Sequence, residues 1–389
     1  LMDTVTSATT QRLLTELEAS SLDGLVVSHP ANVAYATGYR SVAAGIMLGA
    51  RMAACVTPDR RVLVASASDA AAALDTGIFA EDYVPFGRFF FESAEGNDPA
   101  ASMSDVNADL ESAMEEALAR SGFRGTVGVD ALVPDPIRGL IEQQSGVEKV
   151  VEADDWIMGA RAIKTAPETE RMLSAIRCTE AGIERALGEA GPGVTERELA
   201  GIVAQAMVEG GAEPRFLVAT TGPRSALSDA RATDREWNPG ELLRFDVGCT
   251  FDGYWSDIGR TAVLGEPSSE QARCYAAILA GEGEQLDAAR PGMTAGQLFD
   301  VAVQAVEAAG LQPYRRHHCG HAIGSEVYER PIVAPGSEVE LQPGMVFCVE
   351  TPYYRLGWGG MMVEDAIQIT TEGNRRLTSL DRSLRVVPA

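Results

Sequence analysis

The sequence predicts a two-domain protein of mixed α/β and α+β class: a small α/β unit over residues 1–155, then a duplicated α+β unit over 165–389. Three observations predict it. At 389 residues the chain holds two or three domains' worth of polypeptide, taking ~100–200 residues for each. Its first part alternates short apolar runs with amphipathic stretches, the pattern of a layered α/β unit. Its second part repeats itself: PGVTERELAGIVAQAMVEGGAEP at 192–214 lies over PGMTAGQLFDVAVQAVEAAGLQP at 291–313 without a gap.

In the first part, residues 22–28, 51–57, 61–66 and 125–130 read as strands, and 8–20 and 105–121 as amphipathic helices. The polar stretch 92–105 reads as a surface loop. It follows the aromatic run Phe89–Phe91, which reads either as core packing or as a lid over a pocket. The boundary falls near Glu152–Pro167, where Thr165 and Glu168 form a capping-box pattern that opens a long helix. In the repeat, Thr195 and Thr294 are matching N-caps with Glu198 and Gln297 three residues on, Gly211 and Gly310 end the helices, and Pro214 and Pro313 follow. Further along, NPGELLRFD at 238–246 matches QPGMVFCVE at 342–350 and sets Asp246 against Glu350.

Composition narrows the function. With 32 basic and 56 acidic side chains the formal charge is −24, which argues against nucleic acid or an anionic membrane as partner. No apolar run approaches the ~20 residues of a membrane span. The opening LMDTVTSATTQRLLTELEAS lacks the basic and apolar regions of a signal peptide. The six cysteines are scattered without a CxxC pair, as expected of reduced thiols in a cytoplasmic protein. Lysine occurs only at Lys149 and Lys164, and neither a phosphate-binding GxxxxGK[ST] loop nor a GxSxG elbow is present. Histidine is as rare: His29 stands alone, and His317, His318 and His321 cluster.

The carboxylates around that cluster carry the chemistry. Asp246 and Asp257 are eleven residues apart with their midpoint between Phe251 and Asp252, so a hairpin at the FDG turn is expected to set them opposite each other. Glu350 and Glu364 are fourteen apart about Gly357, with Gly359 and Gly360 beside it. Four carboxylates in apolar strands must be protonated, paired with arginine (Arg244, Arg260 and Arg355 lie in these segments) or bound to cations. His321, in the glycine-bracketed HCGHAIG, favours the cation. One imidazole with four carboxylates suits Mn(II), Co(II), Fe(II) or Zn(II). Four carboxylates exceed the needs of one ion. Two divalent ions ~3.5–4 Å apart would activate a water and polarise a carbonyl, which is hydrolytic chemistry. Cys348, two residues before Glu350, reads as a small core residue rather than a ligand.

The ordered set Asp246, Asp257, His321, Glu350 and Glu364 resembles the metal signature of the pita-bread metallopeptidases, the group of methionine aminopeptidase, aminopeptidase P, prolidase and creatinase. LLRFDVGCTFDGYWSDIGRT, GHAIGSEVYERP, LQPGMVFCVETPYY and MMVEDAIQIT match its blocks, and SHPANVAYATGY resembles the opening of the creatinase and prolidase N-domain. The resemblance implies a dinuclear-metal hydrolase of an amide C–N bond, Xaa-Pro dipeptidase- or aminopeptidase P-like, working as a homodimer on a short peptide or small molecule. It implies that Asp257 and Glu364 bridge the metals, Asp246 binds one, His321 and Glu350 bind the other, and Glu350 also acts as general base.

The chain departs from that family at three places. Asp229 stands where prolidase-like enzymes carry a histidine, Tyr328 replaces the histidine seven residues after the metal histidine, and Met362 replaces an arginine two before the last glutamate; the histidine four before the ligand is kept as His317. An ionised Asp229 only accepts hydrogen bonds and favours a cationic or amide-donor group, while Tyr328 donates and suits an oxyanion. The plain structural readings are a turn cap for Asp229, packing for Tyr328, and an exposed or capping role for His318. These departures leave open a non-peptide hydrolase or lyase of the ectoine hydrolase, creatinase or dimethylsulfoniopropionate lyase kind. An inactive binding module would require a lost metal site.

Overall fold

A computed structural model describes residues 4–47, 51–92 and 107–389. Apart from Glu92, the predicted 92–105 loop lies outside the described residues. The chain divides into two compact units, Leu1–Arg161 and Ala162–Ala389.

The first unit is built on a mixed six-stranded sheet of order β4-β3-β2-β1-β5-β6: β1 Gly24–Val27, β2 Ala53–Val56, β3 Arg61–Ser66, β4 Tyr83–Phe86, β5 Gly125–Val129 and β6 Val147–Glu152. Its central strands are continuous apolar runs because helices cover both faces. Leu25 and Val27 enter a core with Leu13, Leu17 and Tyr35, whereas Val26 enters one with Met114, Leu118 and Ile137. The SHPAN segment turns on the buried Asp130, whose carboxylate accepts from the backbone N–H of Ser28 and His29 and from Asn32 Nδ2. In the aromatic run, Phe90 is exposed and Phe91 packs on the core.

The second unit opens with the expected long helix, Ala166–Glu189, where the Glu168 carboxylate accepts from Thr165 N at 2.8 Å. Two sheets follow. One has the order β18-β10-β8-β7 with the short β9 on β8, the other β12-β11-β13-β16-β17. The strands are β7 Glu213–Thr221, β8 Leu242–Phe251, β9 Tyr254–Trp255, β10 Ile258–Leu264, β11 Gly320–Ala322, β12 Glu329–Ile332, β13 Val346–Glu350, β14 Tyr353–Arg355, β15 Gly359–Met361, β16 Glu364–Ile369, β17 Asn374–Arg376 and β18 Arg385–Val387.

The duplication is visible in matching details. Helices Glu196–Glu209 and Ala295–Ala308 each start on a capping box, from Thr195 with Glu198 and from Thr294 with Gln297. Both cap threonines also form an isolated β-bridge, to Glu236 and Glu340. Gly211 and Gly310 follow the helices at φ 85° and 95°, the left-handed region that a helix C-terminus exploits. Long helices, Ala166–Glu189 and Ser269–Ala288, pack against these two, and each makes its close approach at a glycine. A Cβ on Gly182 would lie 3.0 Å from Val203 O, and one on Gly281 3.1 Å from Ala302 O.

Candidate metal centre

Hairpin geometry fixes where each carboxylate falls. The β8–β9 turn is Asp252-Gly253, with φ 46° and 78°, a two-residue turn of the kind that matches strand twist. It pairs Phe251 with Tyr254, and the same register carries Asp246 to Gly259. Asp246 and Asp257 are therefore diagonal neighbours on one face, not the directly opposed pair that their midpoint predicts. The turn is centred one residue later than that midpoint, and the register slides by two. Glu350 and Glu364 do stand directly opposite, about the Gly357 turn at φ 80°. Gly259 admits the second sheet: a Cβ there would lie 2.5 Å from Met362 Cγ and 3.1 Å from Glu364 Cβ.

His321 comes from β11, in register with Cys348. Its Nδ1 lies 3.1 Å from Ala322 O, and a donated N–H there leaves Nε2 as the lone-pair nitrogen, the arrangement of a metal-ligating imidazole. Single donor atoms from Asp257, His321, Cys348 and Glu364, all buried, lie within 4.8 Å of one another. Asp257 Oδ1, His321 Nε2 and Glu364 Oε2 have no hydrogen-bond partner. The 3.6 Å between His321 Nε2 and Asp257 Oδ2 is too long for one.

Arginine relieves this charge only in part. Arg244 Nη1 donates to Asp246 Oδ2 at 2.9 Å, but Arg260 pairs with Asp365 and Arg355 with Glu270. Burial, then the nearby Asp257, pushes the Asp246 carboxyl up to about 7. Burial and the three surrounding carboxylates push Glu364 well above the ordinary range, and burial raises Asp257. Only Glu350 is held low. Burial would raise it, but His318, whose Nδ1 lies 3.1 Å from Oε1, and Arg316 at 3.9 Å more than offset that. Orphaned, buried and mutually repelling donors fit a multiply charged cation, whose field restores each carboxylate to its ionised form.

The remaining predicted residues fall as follows. His317 is exposed, and it is His318, 7% exposed, that reaches Glu350. His317 is thus not the histidine beside Glu350, and His318 is buried rather than exposed, its Nδ1 also accepting from Gly320 N–H at 3.3 Å as a local cap. The Tyr328 ring stacks on His321 at 3.8 Å between centroids and 20° between planes while remaining 51% exposed. Burial of its hydroxyl, then the four carboxylates, raises its pKa, so it stays a donor. Asp229 is exposed and accepts from Ser228 Oγ. The loop carrying it is tied to the centre by Arg244 Nη2, which donates to Leu227 O and Ser228 O at 2.8 and 2.7 Å. Met362 is buried, its Sδ 4.0 Å from Arg244 Nη1. Sequence reasoning missed Arg316 and Tyr354, whose ring lies 5.2 and 5.5 Å from the Arg244 and Arg316 guanidinium carbons. No sequence spacing announces them, because they converge through tertiary packing.

Fold and centre together define a metal-dependent hydrolase of duplicated, pita-bread architecture. Residues 170–371 match the model of metallopeptidase family M24, and residues 10–163 that of the creatinase/prolidase N-terminal domain. The chain belongs to metallopeptidase family M24. It is 28% identical over 376 residues to the Xaa-Pro dipeptidase of Pyrococcus horikoshii, covering 96% of this chain and 97% of that one. It is 34% identical over 261 residues to the Xaa-Pro dipeptidase of Pyrococcus furiosus, covering 67% and 75%. Among solved structures it resembles the dipeptidase PepE of Mycobacterium ulcerans, with TM-score 0.78, 26% identity and coverage of 99% of this chain and 98% of that one. Family membership implies divalent metal ions. Among the described residues no helix is long and apolar enough to cross a membrane.

Proposed function

We propose that the chain is a dinuclear-metal Xaa-Pro dipeptidase, acting on the amide bond before proline in short peptides. The observation that carries this reading is the set of partnerless buried donors on Asp257, His321 and Glu364. Asp246, Asp257, His321, Glu350 and Glu364 would hold the ions. Bound there, two divalent ions supply Lewis acidity, lowering the pKa of water toward neutrality and polarising the scissile carbonyl.

The chain's own residues do the rest. Glu350, low in pKa and oriented by His318, accepts the proton of the attacking water and returns it to the leaving nitrogen. Tyr328 donates to the carbonyl oxygen as it gains negative charge. Asp229 accepts from the substrate's ammonium group. The contact of Arg244 with the Asp229 loop and with Asp246 supports this, since one guanidinium sets both. His317, exposed beside His318, stays at the substrate end of the site. Mn, Co, Fe and Zn all suit the oxygen-rich donors. The six unpaired, buried cysteines support a reducing, cytoplasmic setting. Exposed Val42 and Ile46 on the first unit support a homodimer, testable by sedimentation.

The discriminating experiment offers metal-loaded protein Xaa-Pro dipeptides beside creatine, cyclic amidines and sulfonium zwitterions. Turnover of the dipeptides is expected. Turnover of only the other compounds would replace the peptidase with a non-peptide hydrolase or lyase, the reading that Asp229, Tyr328 and Met362 favour.

A further inference from the structure

Cys348 is fully buried, and its Sγ belongs to the same donor cluster as Asp257, His321 and Glu364. Strand register puts it there. On β13 it lies two residues from Glu350 and so shares its face, directly across from His321 on β11 and beside Glu364 on β16. Its only hydrogen-bond contact among the described residues is a weak one, Sγ to Asp257 O at 3.7 Å. A thiol there as mere core filling would sit among apolar side chains. This one lies within 4.8 Å of a donor atom from each of Asp257, His321 and Glu364, residues whose Oδ1, Nε2 and Oε2 lack any hydrogen-bond partner.

The geometry points to Cys348 as a thiolate ligand of the ion that His321 binds, added to the carboxylates. Donors around a single ion stand roughly 3–4.5 Å apart, given metal–oxygen and metal–nitrogen bonds of about 2.0–2.2 Å and metal–sulfur bonds of about 2.3 Å. The 4.8 Å span of this cluster closes to that with small side-chain rotations. Ligation breaks the Sγ–H bond, forms a sulfur–metal bond and sends one proton to the buffer, with no change of oxidation state. A sulfur donor softens a set that is otherwise hard, so this centre ranks Zn(II) and Co(II) well above Mn(II).

This inference rests on the metal-centre reading above, and its test separates the two. The full-length protein is loaded with Co(II), its cobalt content measured, and its near-ultraviolet spectrum recorded for thiolate-to-cobalt charge transfer. The expected result is a charge-transfer band in the wild type and in Cys319→Ser. It should be lost in Cys348→Ser, which should also bind Co(II) at least tenfold more weakly. X-ray absorption of the zinc-loaded wild type, which needs no variant to fold, should show a sulfur neighbour at about 2.3 Å. Bound cobalt without the band, a band that survives Cys348→Ser, or a zinc shell of oxygen and nitrogen alone would overturn the thiolate while leaving the metal centre intact. Failure to bind cobalt at all would overturn both.

Discussion

Glu350 and Glu364 face each other across neighbouring antiparallel strands, yet only Glu350 has partners: His318 at 3.1 Å and Arg316 at 3.9 Å, against an orphaned Oε2 on Glu364. One carboxylate is thus kept ionised by the protein and the other is not. That asymmetry suits Glu350 to the proton transfer proposed for it in addition to cation holding, and Glu364 to cation holding alone.

The first prediction concerns pH. Folded, metal-free protein keeps Asp246 protonated up to about 7, whereas the unfolded chain releases that proton near 3.8. Between these values the folded state binds the extra proton, so metal-free stability falls as pH rises from about 4 to about 7. Raised Asp257 and Glu364 act with the same sign. Melting temperature after chelation should be lower at pH 7.5 than at pH 5. Divalent ion at 100 times its dissociation constant should restore about 2.7 kcal/mol at the higher pH. A chelated protein that is more stable at pH 7.5 contradicts this.

Tyr328→Phe removes a donor without removing the ring that stacks on His321. Metal content should be unchanged and kcat should fall by about 10²–10³ if the hydroxyl stabilises the developing oxyanion. An unchanged kcat would return Tyr328 to a packing role.

Arg244 is fully buried and donates to Ser225 O, Leu227 O, Ser228 O and Asp246. Arg244→Met strands all four acceptors, and breaking such a buried pair costs about 3–5 kcal/mol. Denaturant unfolding of the metal-free protein should show that loss, and substrate KM should rise because the Asp229 loop is released. A KM equal to wild type would detach Asp229 from the site.

Thr294→Ala should cost about 0.5–2 kcal/mol through loss of the helix cap, with Thr195→Ala costing a similar amount because the two caps are equivalent. Equilibrium unfolding measures both, and a cost confined to one would show that the two halves are stabilised differently.

Much of this was legible in the sequence because it is local. Capping boxes, glycine turns and the helix repeat depend on residues within a few positions of each other, and they stand where spacing puts them. The glutamate hairpin was legible for the same reason, its turn lying at the midpoint of the pair. The aspartate hairpin was not, because Asp252-Gly253 claims the two positive-φ positions and shifts the centre by one residue. Sequence also could not choose between His317 and His318, since which of two neighbours turns inward depends on Glu350, more than thirty residues away. Arg316 and Tyr354 reach the centre by packing alone.

The central claim is that buried donors from five separate stretches exist to hold two divalent ions. Elemental analysis of wild type and Asp257→Ala after reconstitution and desalting tests it most directly. The account predicts two ions per wild-type chain and loss of both ions in Asp257→Ala. A wild type that retains no ion, or an Asp257→Ala variant that retains the full complement, would contradict it.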